Sequence, residues 1–431
     1  MLCEFFQTYP AHMAGKLMNV YLTKRRRSMN TTEATRQLLP PSSKWLLSIN
    51  TLFAGASALS NTFLNIYLWK FLQSVEQIAI YNFYIFLFSA IGYTIAGWIA
   101  KKSDRLYTLR IGVAILALFY ILIISFGSRA VSLYVLLGML QGIGTGFFWL
   151  SYNVLVFEVT EPETRDEYNG ANGFLFAVAT MAAPLLAGRI LSTLPMKGYT
   201  IIFTVSFALF LTAVLITWKL QPKGGPPSYD LYAGFSPQEH KNLWRKMLTM
   251  SFSMGFREGT LAFLPFLLVF VVTQDELTAS RYLLFTSAGS LVAYYVVKKF
   301  LTTARRNTFV TTAAFMLGLS VLMLLFEVNK VSLFVFGIAN SLFTPLLVIP
   351  YSCLTYDVMG QLPEAVHRKV EYIVIRESVV NTGRCLSILA LIGLQWLLSE
   401  GLSMKLTFLL VGLSPLVALF FFRRTNETLR V

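Results

Sequence analysis

Two adjacent charged residues, Arg257 and Glu258, lie inside the apolar stretch 246–273. Charge within a long apolar helix is costly and is kept where it binds a ligand, moves an ion or closes a pair. Neighbours on a helix point about 100° apart, so these two cannot pair well and each needs its own partner. A carboxylate in that setting can take up a proton or a cation, and a guanidinium can hold an anionic group or a carboxylate. We therefore expect Glu258 to be an ion site and Arg257 to contact an anionic substrate group; a structural ion pair between helices is the competing reading. Glu377, Asn381 and Arg384 follow at i, i+4 and i+7, one face of a helix. That stripe suits a relay, a gate latch or a cluster snorkelling to the interface. Asn61 and Asn65 share a face beside Tyr67, and Trp149, Tyr152 and Asn153 fall in one later stretch. Amides and aromatic rings on inner helices can form an amphipathic pocket. They can equally be interface anchors and helix-packing bonds.

The composition fixes what must position these residues. Of 431 residues, 55% are hydrophobic and 13% charged, against about 25% charged in a soluble domain. A water-soluble enzyme is excluded, and so is disorder, because so much apolar surface needs a home. An all-α polytopic membrane protein remains. The net charge of +15 would suggest nucleic acid in a soluble chain. Here the basic residues cluster between apolar runs, so we expect no nucleic-acid partner. Cys3, Cys353 and Cys385 are scattered, as are His12, His240 and His367, and no disulfide framework, metal site or cofactor follows. No GxxxxGK[ST] loop is present, which argues against an ATP-driven pump. Residues 1–43 are polar and basic and lack the apolar core of a cleavable signal; Met29 reads as an alternative start.

Stretches long enough to span a bilayer recur at 45–69, 77–100, 111–127, 131–156, 169–192 and 199–218. A polar segment follows, and then 246–273, 279–297, 308–326, 330–355, 374–398 and 403–422. The expected organisation is a basic tail (1–44), a six-helix bundle (45–218), a linker (219–243), a second six-helix bundle (244–423) and a short tail (424–431). Lys and Arg concentrate in the tails, in 101–110, in the linker and in 298–307. By the positive-inside rule both termini face the cytoplasm. The acidic loop 160–170 would then lie on that side, within reach of 101–110. Pro345 and Pro350 are expected to bend their span.

The two halves repeat. Aligning 53–68 with 253–268 without a gap pairs Gly55 with Gly255, Phe63 with Phe263, Leu64 with Leu264 and Leu68 with Leu268. Lys101-Lys102 and Lys298-Lys299 close equivalent spans. Parallel six-helix repeats imply a pseudo-two-fold axis along the membrane normal and a cavity between the halves.

Three local patterns carry a family resemblance. In 97–112, Gly97, Asp104, Arg105 and Arg110 resemble the loop after the second span of the major facilitator superfamily, although Lys101 stands where that family places its aspartate. In 138–149, Gln141, Gly142 and Gly144 are similar to its Arg-x-x-Gln-Gly-x-Gly pattern, with Gly138 at the arginine position. In 179–188, Ala179, Ala183, Pro184, Ala187 and Gly188 resemble the glycine- and proline-rich pattern of antiporter members, where small residues let helices approach closely. The segments GFREG and EYIVIRESVVNTGR are similar to uncharacterised transporters of Gram-positive bacteria. The resemblance implies two six-helix halves rocking about a central site, with gating and packing roles for the residues of these patterns. It implies proton-coupled export of an amphipathic small molecule, an antiporter-like efflux by a monomer in the cell membrane. A flippase for a lipid-linked precursor and a non-transporting scaffold or sensor are the alternatives.

Overall fold

The computed structural model describes residues 39–159, 165–221, 229–237, 239–364 and 367–428. Most of the basic tail with Met29, residues 222–228 and 238 of the linker and the start of the acidic loop lie outside them.

Among the described residues all regular structure is helical. The first half contains α1 (Pro41–Leu72), α2 (Val75–Lys102), α3 (Arg105–Phe126), α4 (Tyr134–Val159), α5 (Arg165–Thr193) and α6 (Pro195–Thr217). A five-residue helix, α7 (Leu231–Phe235), belongs to the linker. The second half contains α8 (Lys241–Leu261), α9 (Leu264–Thr273), α10 (Glu276–Phe300), α11 (Arg306–Phe326), α12 (Lys330–Gln361), α13 (Lys369–Leu397) and α14 (Glu400–Thr428). Nine helical stretches among the described residues are long and apolar enough to cross a membrane. One of them, Arg105–Val156, contains the 3-10 turn Gly127–Leu133 and is therefore two helices. With α1 and α10 beside these stretches, the arrangement is consistent with twelve spans.

Helix ends follow local chemistry. Ser74, Asp104 and Asp275 cap α2, α3 and α10 through their side chains, satisfying amides that a helix start leaves unpaired. Asn329 forms a reciprocal capping box with Ser332 at the start of α12. Pro345 and Pro350 lie inside that continuous helix.

The expected single span 246–273 is corrected to two helices. Pro265 sits in the first turn of α9, and its ring has no N–H and clashes with the carbonyl four residues back. The chain breaks at Ala262–Phe263, one turn beyond Glu258. α13 starts at Lys369, before the expected 374, and so takes in Glu371. α14 runs through the expected tail to Thr428.

The halves meet along two seams, α2 against α13 and α5 against α10. One buried apolar cluster fills the first half and extends to Phe266 and Tyr282 of the second. The other joins Tyr93, Phe147 and Leu150 to Trp244, Tyr351 and Val374.

Candidate substrate pathway

Three glycines bring α8 and α13 together. A Cβ on Gly255 would meet the Val380 carbonyl oxygen at 2.0 Å, and one on Gly259 would meet that of Arg384 at 2.3 Å. From the other helix, Gly383 faces the Phe252 carbonyl oxygen at 2.3 Å. Gly393, further along α13, has open space around it, so the close approach does not run the whole length of that helix.

This approach puts Glu258 opposite Arg384. The guanidinium donates from Nη2 to Glu258 Oε2 at 2.6 Å and from Nε to the same oxygen at 3.2 Å. Arg384 Nη1 donates to Asn381 Oδ1 at 3.0 Å. The face expected of Glu377, Asn381 and Arg384 is thus partly assembled, with Glu377 turned to its neighbour Arg376 at 3.0 Å. Arg384 also lies 5.2 Å from the ring centre of Phe86 on α2. The pair therefore stands at the seam between the halves. Its side chains keep 24% (Arg384) and 37% (Glu258) of their exposure.

Arg257 takes different partners, as its angular offset requires. It is buried, and its Nη2 donates to Asn340 Oδ1 at 2.5 Å and to Thr344 Oγ1 at 2.8 Å. Both acceptors are neutral and lie one turn apart on α12.

The first-half candidates are held in helix-packing bonds. Asn61 Oδ1 accepts from Tyr120 Oη at 2.7 Å, and Asn65 Oδ1 accepts from Asn82 at 2.8 Å. Tyr152 is buried and bonds Tyr168 and Asn172. Trp149 packs edge-on to Phe53 and Phe148, and Asn153 is half-buried beside it. Gln141 accepts from Tyr81. Gly142 and Gly144 admit the close approach of α2 and α3. Ala183 and Pro184 are buried on α5, and Gly188 meets Ser280 of α10.

Both ends of the pathway carry a lysine–glutamate pair that joins the halves. At the face where α1 starts and α14 ends, Lys101 Nζ lies 3.2 Å from Glu371 Oε1, with both side chains 2% exposed. Lys101 also donates to the His367 carbonyl at 2.7 Å. Beside it, Gly97 packs against Val374 and Tyr229, whose hydroxyl donates to the Thr94 carbonyl at 3.2 Å. Asp104 caps α3 and Arg105 pairs with Glu158 at 2.9 Å, both within the first half. At the opposite face Lys70 pairs with Glu276, which also accepts from Tyr199. Sequence reasoning missed Glu371, because a strict hydropathy boundary left it in a loop, and it missed Glu276 as a helix-start residue. Outside the spans, Arg368 hydrogen-bonds Glu364 and holds that carboxyl below its usual range.

The sequence model of the Major Facilitator Superfamily matches residues 46–364. The chain belongs to that superfamily. As a major facilitator it is an integral membrane transporter and not an enzyme. It is 38% identical over 379 residues to the uncharacterized protein YqgE of Bacillus subtilis (strain 168), covering 87% of this chain and 88% of that one. Over 159 residues it is 46% identical to an uncharacterized protein in the sodM 3′ region of Geobacillus stearothermophilus, 37% of this chain and 74% of that one. Among solved structures, an inward-facing bacterial homologue of the iron transporter ferroportin aligns with a TM-score of 0.66 at 13% identity, over 91% of this chain and 100% of that one. The human organic anion transporter MFSD10 (TETRAN) aligns at 0.64 and 13%, over 89% and 100%. At such identities the likeness concerns the fold alone.

Proposed function

We propose that this facilitator exports an amphipathic small molecule coupled to protons, with Glu258 as the proton site. It works as a monomer in the cell membrane, with both termini in the cytoplasm, by alternating access between its two halves. The observation that carries this reading is the partly exposed Glu258–Arg384 pair, set within two apolar helical stretches at the seam between the halves. Glu258 holds Arg384 most strongly as a carboxylate. Taking up a proton weakens that pair and frees the guanidinium for a substrate, so ion and substrate occupancy are linked. Phe86 on α2 and Phe252 and Phe256 on α8 are half-buried and supply apolar surface for the rest of the molecule. The export direction rests on the α5 pattern.

The test uses inside-out vesicles, a pH-sensitive dye and a panel of metabolites, drugs and soluble analogues of lipid-linked sugars. A compound-dependent proton signal is expected, and it should vanish in Glu258→Gln with insertion unchanged. A normal signal in that variant sinks the assignment. Headgroup movement with no proton signal would favour a flippase.

A further inference from the structure

Charge in the middle of the spans is unevenly placed. The middles of α1 to α6 carry no Asp, Glu, Lys or Arg, and mid-span charge is confined to α8 and α13. Three guanidiniums, Arg257, Arg376 and Arg384, stand there against two carboxylates, Glu258 and Glu377. Arg384 is matched by Glu258 and Arg376 by Glu377. Arg257 remains, held by an amide and a hydroxyl that orient it without cancelling its charge. The region therefore carries a net charge of +1.

We propose that the site selects a small organic anion with a single net negative charge and an apolar body, and that Arg257 sets this selectivity. The proposal rests on the α8–α13 face being the transport site. With Glu258 ionised a monoanion leaves the filled site neutral, and with a proton on Glu258 it leaves +1, whereas a monocation raises the site to +2 or +3 in a medium that screens poorly. Two groups keep Arg257 in place without competing for the anion's charge. Asn340 and Thr344 lie one turn apart on α12 and together occupy Nη2 of the guanidinium, leaving the Nη1 and Nε hydrogens as the donors for a carboxylate or phosphate. The Phe86 ring beside Arg384 accepts the apolar part. A neutral hydrogen-bonding substrate would gain nothing from the unbalanced charge, and a carboxylate paired with Arg257 would have removed it; the neighbouring Glu258 pairs with Arg384 instead, and among the described residues no carboxylate forms an ion pair with Arg257.

The charge can be read without knowing the substrate. Ala262 is exposed one turn from Glu258 on the same face of the chain. In a background carrying Cys3→Ala, Cys353→Ala and Cys385→Ala, the thiol introduced by Ala262→Cys is labelled with methanethiosulfonate reagents bearing a sulfonate or a trimethylammonium group. The full-length protein is reconstituted in phosphatidylcholine vesicles. Relative to a free thiol, the anionic reagent should be favoured, and Arg257→Gln should reduce that preference by about tenfold, the order expected for one charge at this range. Arg257→Lys keeps the charge and should keep the preference, which separates the electrostatic effect from misfolding. The probe 1-naphthoate should protect the thiol, whereas 1-naphthylmethylammonium should not. A preference for the cationic reagent, no effect of Arg257→Gln, or a thiol that reacts with neither reagent overturns the proposal. Protection only after phosphatidylglycerol is added would assign the anion to a lipid headgroup and overturn the small-molecule part. None of these readings depends on proton movement, so failure of the coupling role of Glu258 leaves a distinct signature.

Discussion

At the scale of single residues, two neighbours in one helix have separate fates. Arg257 and Glu258 diverge by about 100° around α8, so one reaches α12 and the other α13. Breaking one partner of a buried pair costs more than removing both, because the survivor keeps its desolvation cost. The Glu258–Arg384 pair is only partly buried, which reduces that asymmetry. Arg384→Gln and Glu258→Gln should each lower stability by about 1–2 kcal/mol, and the double variant should fall well short of their sum. Thermal unfolding in detergent across this cycle checks the expectation; strict additivity would mean that the two groups do not interact. The sequence located both residues and their need for separate partners. It did not reveal the partners, since Asn340, Thr344 and Arg384 approach only through packing between helices distant in the chain.

At the scale of elements, the repeat was legible but its symmetry was not. Gly55 and Gly255 are aligned in the two halves, yet a Cβ on Gly55 meets nothing within 4 Å while one on Gly255 runs into a backbone carbonyl. Gly55→Ala should therefore be tolerated and gain up to about 1 kcal/mol from helix propensity. Gly255→Ala must push α8 off α13, loosen the Glu258–Arg384 contact and lower the melting temperature and the yield of monodisperse protein on size exclusion. Equal behaviour of the two variants would contradict the packing described here. Hydropathy marked the spans because burial in lipid demands long apolar helices. It misplaced the start of α13 because Glu371 is charged yet buried, its cost offset by Lys101 from the other half. The break after Leu261 was written in Pro265, a signal that overall hydropathy conceals.

The same lysine–glutamate chemistry recurs at both ends of the bundle. Each time the lysine comes from the first half and the glutamate from the second. The Lys101–Glu371 pair is the more deeply buried, so its loss should matter more. Glu371→Gln leaves an ammonium buried without its counter-charge and should open the seam between α2 and α13. Labelling of cysteines placed along that seam should rise severalfold, and the exchanged pair Lys101→Glu/Glu371→Lys should bring it back towards the parent. Failure of the exchange to restore closure would show that Gly97 packing and Tyr229, rather than charge, hold this end.

For the whole molecule, the sign of proton movement follows from the central charges. Glu258 is faced by Arg384 from α13 and lies beside Arg257 on its own helix, while Asn340 and Thr344 from α12 are neutral. Glu377 and Tyr93 of α2 lie within electrostatic range of Arg384. An anion that engages Arg384 competes with the Glu258 carboxylate for the guanidinium, and that competition ends when Glu258 carries a proton. By reciprocity, a proton on Glu258 favours the anion. Proton and anion should therefore travel in the same direction, and export should run on the substrate's own gradient. In inside-out vesicles, adding a transported anion to the bath should acidify the lumen. Exchange, as the α5 resemblance implied, would make the lumen more alkaline. Acidification that is lost in Glu258→Gln and in Arg384→Gln ties the coupling to this pair; alkalinisation by an anion would mean that the proton and the substrate exclude each other and that Arg384 is not the group Glu258 and the substrate share.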